Sequence, residues 1–342
     1  MLAKRIKRIK KRGTIELQFN WIFVLISGAI IFIFLLVLIN SIKSTGLKKI
    51  DITVLHNIDN VLRTAQESSV NSEGTFRIIE MYGTPVVMTC DRDDISTINI
   101  KGYEKSIESL IIFSKSNLKG NIYAWTVNWN IPMLAGSFLM LADDRTQFVF
   151  VGNDPEIIDL YNTIPLNKTK KLISSLNGFS CSSYDNCRLI FYKTVPDSLP
   201  SKSTAVIINP DSSIFEHPLN SYGTIQFKDG FSTKTSFFLK KESIYGAIFS
   251  ENTEYYVCTM RKALKRLRFT ATILLIRANE IESQFNNNRC QQYYVNFPSY
   301  FNQIKNSTDE LSRSNAATIY SSSQRLEKEN EDLSRASCPT VY

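Results

Sequence analysis

Three patterns of apolar spacing follow one another along the chain. The first is a continuous run, WIFVLISGAIIFIFLLVLI, from Trp21 to Ile39: 19 residues with no charge. A helix of that length reaches about 28 Å, enough to cross a hydrocarbon layer. A core helix would interrupt the run with polar residues on one face. The apolar part of a cleaved secretory signal is shorter and ends in small residues, unlike the NSIKSTGLKK that follows here. The pattern predicts a transmembrane helix over 19–42 behind a tail of residues 1–18.

The second pattern is a series of short apolar runs. It opens with a 3.6-residue stripe (Val54, Leu55, Ile58, Val61, Leu62, Ala65) that predicts a short helix over 50–68. Strands are predicted at 76–82, 84–90, 121–129, 137–142 and 147–152, and Gly83 between the first two suggests a hairpin or bulge. Asp154-Pro155 then reads as a helix N-cap with proline in the first turn, starting a helix over 156–164. A further helix is expected at 170–176, strands at 188–193, 204–210, 224–228, 236–240 and 244–250, and a surface loop at 195–203. Apolar strands alternating with a helix predict an α/β domain over 43–250, with a mixed, partly antiparallel sheet.

The third pattern is a heptad seam. Val257, Met260, Leu264, Leu267, Ala271, Leu274, Ala278, Ile281 and Phe285 alternate spacings of three and four. They predict a helix of about 45 Å. A second helix is expected from Pro298 to about Ser334, with Leu311, Ile319, Leu326 and Leu333 as its stripe and Asn315, Ser322 and Asn330 thinning it. Residues 251–342 therefore read as an antiparallel helical hairpin. Ile273, Leu275 and Ile276 widen the first helix on its far side, which is expected to pack on the sheet. The alternative is a homo-oligomeric coiled coil that buries the seam between chains.

Charge changes the picture once it is located. The net charge is +8, but residues 1–12 hold seven Lys and Arg and no acid; +8 less these 7 leaves +1 for the rest. A nearly neutral body argues against nucleic-acid binding. With three lysines (Lys43, Lys48, Lys49) close behind the apolar run, the positive side is expected in the cytoplasm and the body outside, in a single-pass cell-membrane protein with the bilayer as a partner.

All six cysteines (Cys90, Cys181, Cys187, Cys258, Cys290 and Cys338) follow the run, as suits an oxidising compartment. Cys181 and Cys187 are near enough to pair locally. A hairpin would return Cys338 to Cys258, leaving Cys90 for Cys290. The sequons at Asn167 and Asn306 are compatible with export.

Recognisable chemistry is sparse. There are two histidines, His56 and His217, far apart, and no C-x-x-C, P-loop, G-x-G-x-x-G or G-x-S-x-G. Asp91, Asp93 and Asp94 lack the spacing of a calcium loop and read as a solvated turn, as does Asp143-Asp144-Arg145. No catalytic residue, metal or cofactor is assigned.

The stretch KKRGTIELQFNWIFVLISGAIIF resembles the start of a group of uncharacterised archaeal membrane proteins, which have a basic tail, a Gly-Gln pair, a Glu and then QFNWIFVLIAGA. Gly13, Glu16, Gln18, Phe19, Asn20, Trp21 and the apolar residues 22–26 match; Thr14 stands in place of the usual Gln. The ending SCPTVY is also similar. The resemblance implies an archaeal source and no particular activity. The same front end is similar to archaeal type IV pilin precursors, which would be cut after Gly13, although Glu16 then falls early. The expected protein is a membrane-tethered extracytoplasmic structural or partner-binding protein, with a protein partner or a second copy engaged through the hairpin. The alternatives are a pilin-like filament subunit and a surface enzyme with an unfamiliar site.

Overall fold

The structure is a computed structural model that describes residues 25–37, 60, 62–64, 75–81, 84–91, 94–211, 217–230, 232–285 and 289–342. The chain divides into two compact units, Met1–Val54 and Leu55–Tyr342. In the first unit the described residues form one apolar helix, α1 (25–37), exposed along nearly all its residues.

Helix α1 corrects the expectation of a membrane anchor. Thirteen residues extend about 20 Å, whereas a crossing needs about 20 residues. Among the described residues no helix is long and apolar enough to cross a membrane. The transmembrane helix over 19–42, the bilayer as a partner and the single-pass location with a cytoplasmic N-terminus and an outside C-terminus are therefore withdrawn. Trp21 and Ile39, taken as the ends of the span, lie outside the described residues, as do Gly13 and most of the helix expected over 50–68.

The described residues of the second unit form three sheets. Strands β1 (Phe76–Glu80), β5 (Ile111–Phe113), β7 (Asn121–Asn130) and β8 (Leu134–Asp143) make the first, in the order β1-β7-β8-β5. Its centre is the long antiparallel β7–β8 pair, whose register shifts at Trp129/Asn130. A small antiparallel sheet, β4-β3-β2-β6, is built from β2 (Val86–Cys90), β3 (Ser96–Ile100), β4 (Tyr103–Ser106) and β6 (Asn117–Leu118). Its buried residues alternate strictly, Val86 and Met88 on β2 against Ile98 and Ile100 on β3. Strands β1 and β2 thus sit in different sheets, so the hairpin expected around Gly83 does not form.

The third sheet has six strands in the order β10-β9-β11-β12-β13-β14: β9 (Thr146–Val151), β10 (Lys170–Ile173), β11 (Asn186–Tyr192), β12 (Ser203–Pro210), β13 (Tyr222–Asp229) and β14 (Ser232–Leu239). Strands β10 to β12 run parallel, while β12-β13-β14 is antiparallel. Helix α2 (Pro155–Thr163) follows β9 as the Asp154-Pro155 pair predicts, although Asp154 makes no side-chain capping bond.

Two elements take the opposite secondary structure from the one expected. The helix expected over 170–176 is replaced by edge strand β10 at 170–173, and of the strand expected over 244–250 residues 244–249 fall in helix α3 (Lys240–Phe249), with Ser250 as its C-cap. The last seven residues of α3 are all buried. A helix covered on every side shows no polar stripe, so its run of apolar residues looks like a strand. It lies against strands of both the first and the six-stranded sheet. Gly246 is required there, because a Cβ would stand 2.8 Å from the Phe113 ring.

The C-terminal region is a chain of helices: α4 (Thr253–Gln284), α5 (Gln291–Tyr294), α6 (Phe297–Asn306) and α7 (Arg313–Arg335). The two-helix hairpin is corrected on this point. The second helix breaks after Asn306 and restarts at Ser312, whose hydroxyl caps Asn315 N. Helix α4 packs on α6, α6 on α7, and α7 on β13 and β14. The heptad seam is filled within the chain: Met260, Leu264, Leu267, Ala271, Leu274 and Ala278 are buried, and Val257, Ile281 and Phe285 are partly buried against the same core. The polar gaps in α7 also have partners. Ser322 donates to Gln303 Oε1 (2.8 Å), and Asn330 accepts from Val341 N (2.9 Å), fastening the C-terminal tail.

Candidate functional site

A cavity of about 510 Å³ opens at the N-terminal ends of β9, β11 and β12. Ligands of open α/β sheets normally sit at the other, C-terminal ends. Arg188, Asp143, Lys115 and Glu251 line this cavity. Their bonding decides what chemistry it can offer.

Arg188, on β11, is buried beneath the C-terminus of α3. Its Nε donates to Ile248 O (3.2 Å), Nη1 to Thr204 Oγ1 (2.8 Å) and Glu251 O (3.3 Å), and Nη2 to Ala247 O (3.1 Å) and Ser250 O. A guanidinium has five N–H donors, and all are used. Four go to carbonyls at a helix end that has no internal donors and carries partial negative charge. Burial pulls the Arg188 pKa down to about 10, against the pull of Glu251 and Asp229, so it stays charged at neutral pH.

Asp143 ends β8 at the corner where the chain crosses from the first sheet to the six-stranded one. It has no exposed surface. Its carboxylate accepts from Lys115 Nζ (2.8 Å), Lys119 N (3.0 Å) and Thr146 Oγ1 (2.7 Å). The Asp143-Asp144-Arg145 turn is therefore not solvated throughout: Asp143 is a buried joint, while Arg145 pairs with Asp185 at 3.3 Å nearer the surface. Nothing in the local sequence separates Asp143 from Asp144, since Lys115 arrives from 28 residues away. Arg188, Asp143 and Lys115 in the cavity wall are thus committed to holding the fold.

A second polar cluster docks the small sheet on α4. Cys90 of β2 is bonded to Cys258 of α4. Asp94 is ion-paired with Arg261 (Nε–Oδ1 3.1 Å) and Lys265 (Nζ–Oδ2 2.7 Å). Lys262 Nζ, buried, donates to Ser96 Oγ (2.8 Å) and Leu110 O (2.7 Å), and Arg266 reaches Ser109 O. Burial lowers the Lys262 pKa to about 8, with Arg266 adding to the shift. Of the three carboxylates read as a solvated turn, Asp94 is almost covered and ion-paired, Asp91 accepts from Ile95 N (2.9 Å), and Asp93 lies outside the described residues.

The other disulfides are Cys181–Cys187 and Cys290–Cys338, with Cα atoms 5.9 and 5.8 Å apart. Two expected pairings are therefore corrected: Cys258 joins Cys90, not Cys338, and Cys338 joins Cys290. The break after α6 is the reason, because α5 and not the start of α4 lies beside the C-terminal end of α7. Three disulfides fit an oxidising compartment. His217 is exposed ahead of the short 3-10 turn Pro218–Asn220, and His56 lies outside the described residues. Among the described residues no three His, Cys, Asp or Glu converge as a metal site.

The far side of α4 differs from expectation. Leu275 packs partly on the core, but Ile273 and Ile276 face outward, as does Phe269, with exposures of 50, 54 and 68%. The seam itself meets the sheets and α6, and among the described residues the face behind it stays exposed. Residues 269, 273 and 276 stand one turn apart and form one row on an exposed helix face. No family model, no curated protein and no solved structure matches this chain.

Proposed function

We propose that this chain is a structural or partner-binding protein of an oxidising, extracytoplasmic compartment, and that α4 presents its binding face. The carrying observation is the exposed row Phe269, Ile273 and Ile276 on a helix whose other side is fully packed. Large apolar side chains clustered on one rigid face mark interaction sites, whereas scattered ones do not. All five donors of Arg188 and both oxygens of Asp143 are engaged within the fold, which weighs against a catalytic use of these two residues at the cavity.

A photo-crosslinking residue placed at Ile273 in the native host tests this reading. Discrete adducts from position 273, and none from exposed polar Lys168, are expected. Absence of any adduct at 273 would overturn it.

A second reading is a filament subunit, favoured by α1. A helix that is apolar all round requires cover, and copies of α1 in an assembly would supply it. Mass spectrometry of the mature protein addresses this, since a filament precursor of the type resembled would be cut after Gly13. An uncut chain counts against it.

A further inference from the structure

We propose that the partner of the α4 row is a second copy of this chain, docked with the two α4 helices antiparallel about a two-fold axis. This rests on the reading of α4 as a binding face. Lys265 lies one turn before Phe269, and Glu280 one turn after Ile276; both are exposed. An axis placed between Thr272 and Ile273 exchanges residue 272 with 273, 269 with 276, and 265 with 280. Phe269 then meets Ile276, Ile273 meets Thr272, whose hydroxyl is bonded back to Arg268 O of its own helix, and each end of the contact joins an ammonium to a carboxylate. A self-complementary patch of this kind is what a two-fold contact requires.

The alternatives are poorer. A parallel pairing sets Lys265 on Lys265 and Glu280 on Glu280, and like charges facing each other select against it. The axis also exchanges Arg268 with Arg277, but Arg268 is already paired with Asp309, whose side chain remains 67% exposed. Lys265 keeps 67% of its side chain exposed while touching Asp94, so it is available to a second carboxylate. A contact of so few side chains lies at the small end of protein interfaces. The dimer is therefore expected to dissociate on dilution and to weaken with salt.

The experiment is sedimentation of the full-length chain across a concentration series, with thermal melting of each variant alongside. The wild type should show a concentration-dependent dimer. Ile273→Arg should be monomeric and melt as the wild type does. Glu280→Lys and Lys265→Glu should each weaken dimerisation by about tenfold or more, and the double variant should regain most of it, because the charges are reversed on both sides. A wild type that is monomeric throughout, a dimer indifferent to Ile273→Arg, or a double variant as weak as the singles would each overturn the antiparallel dimer. None of these touches the reading of α4 as a binding face. That reading fails separately if Ile273→Arg melts far below the wild type, since the row would then be covered within the chain.

Discussion

Cys258, in the second turn of α4, is bonded to Cys90 at the end of β2, their Cα atoms 6.1 Å apart across 168 residues of sequence. This bond ties the small sheet to the helix that organises the C-terminal region. Beside it the docking is largely polar: Asp94 with Arg261 and Lys265, and Lys262 with Ser96 and Leu110.

Removing the bond should therefore loosen the small sheet first. Cys90→Ser with Cys258→Ser is expected to cost about 2–5 kcal/mol in denaturant unfolding. Limited proteolysis should cut the doubly substituted chain between residues 84 and 118 before it cuts β11 or β12. Equal protection of both regions would refute the idea that the sheet is held chiefly through this joint.

Lys262 should make stability depend on pH. Its folded pKa is pulled down to about 8 from an ordinary 10.5. Between those values the unfolded chain binds more protons than the folded one, so stability rises with pH across the window. Below pH 8 the contribution is constant, because the lysine is protonated in the folded and the unfolded chain alike. Urea unfolding of the wild type and Lys262→Met at pH 7, 9 and 10 isolates the effect: the wild type should gain on the variant as pH rises. A difference that stays flat removes the assignment.

Arg188 should be irreplaceable by lysine. Arg188→Met leaves four carbonyls at the end of α3 without their donors and is expected to cost about 3–5 kcal/mol. Arg188→Lys should recover little, because an ammonium has three donors where five acceptors are arranged around a plane. Denaturation midpoints of both variants test this, and full rescue by lysine would show that charge alone matters there.

The two sides of α4 should respond in opposite ways. Leu267→Ala and Leu274→Ala are expected to cost about 2–5 kcal/mol each, since both are core positions. Phe269→Ala and Ile273→Ala should stay within about 0.5 kcal/mol, as exposed substitutions do. Equal losses on both sides would mean that the outer row is packed.

Local spacing in the sequence was enough for several elements. The alternation of three and four from Val257 to Phe285 determined that α4 is a long helix and which residues form its buried seam, because a helix places every such residue on one face whatever it packs against. Asp154-Pro155 marked the start of α2 for a similarly local reason, the fixed φ of proline in a first helical turn. The strands β7, β8, β11 and β12 were legible from apolar runs. By contrast, β3 was hidden because Ser96, Thr97 and Asn99 dilute its alternation.

Only the tertiary structure decided the rest. Residues 244–249 are helical because α3 is enclosed on every side, and enclosure removes the polar stripe by which a helix is recognised. Cys258 pairs with Cys90, and Asp143 is buried while its neighbour is not, because each outcome depends on which distant segment arrives beside it. Chain periodicity reports the face a residue occupies on its own element; what lies opposite that face is set by packing between elements far apart in sequence.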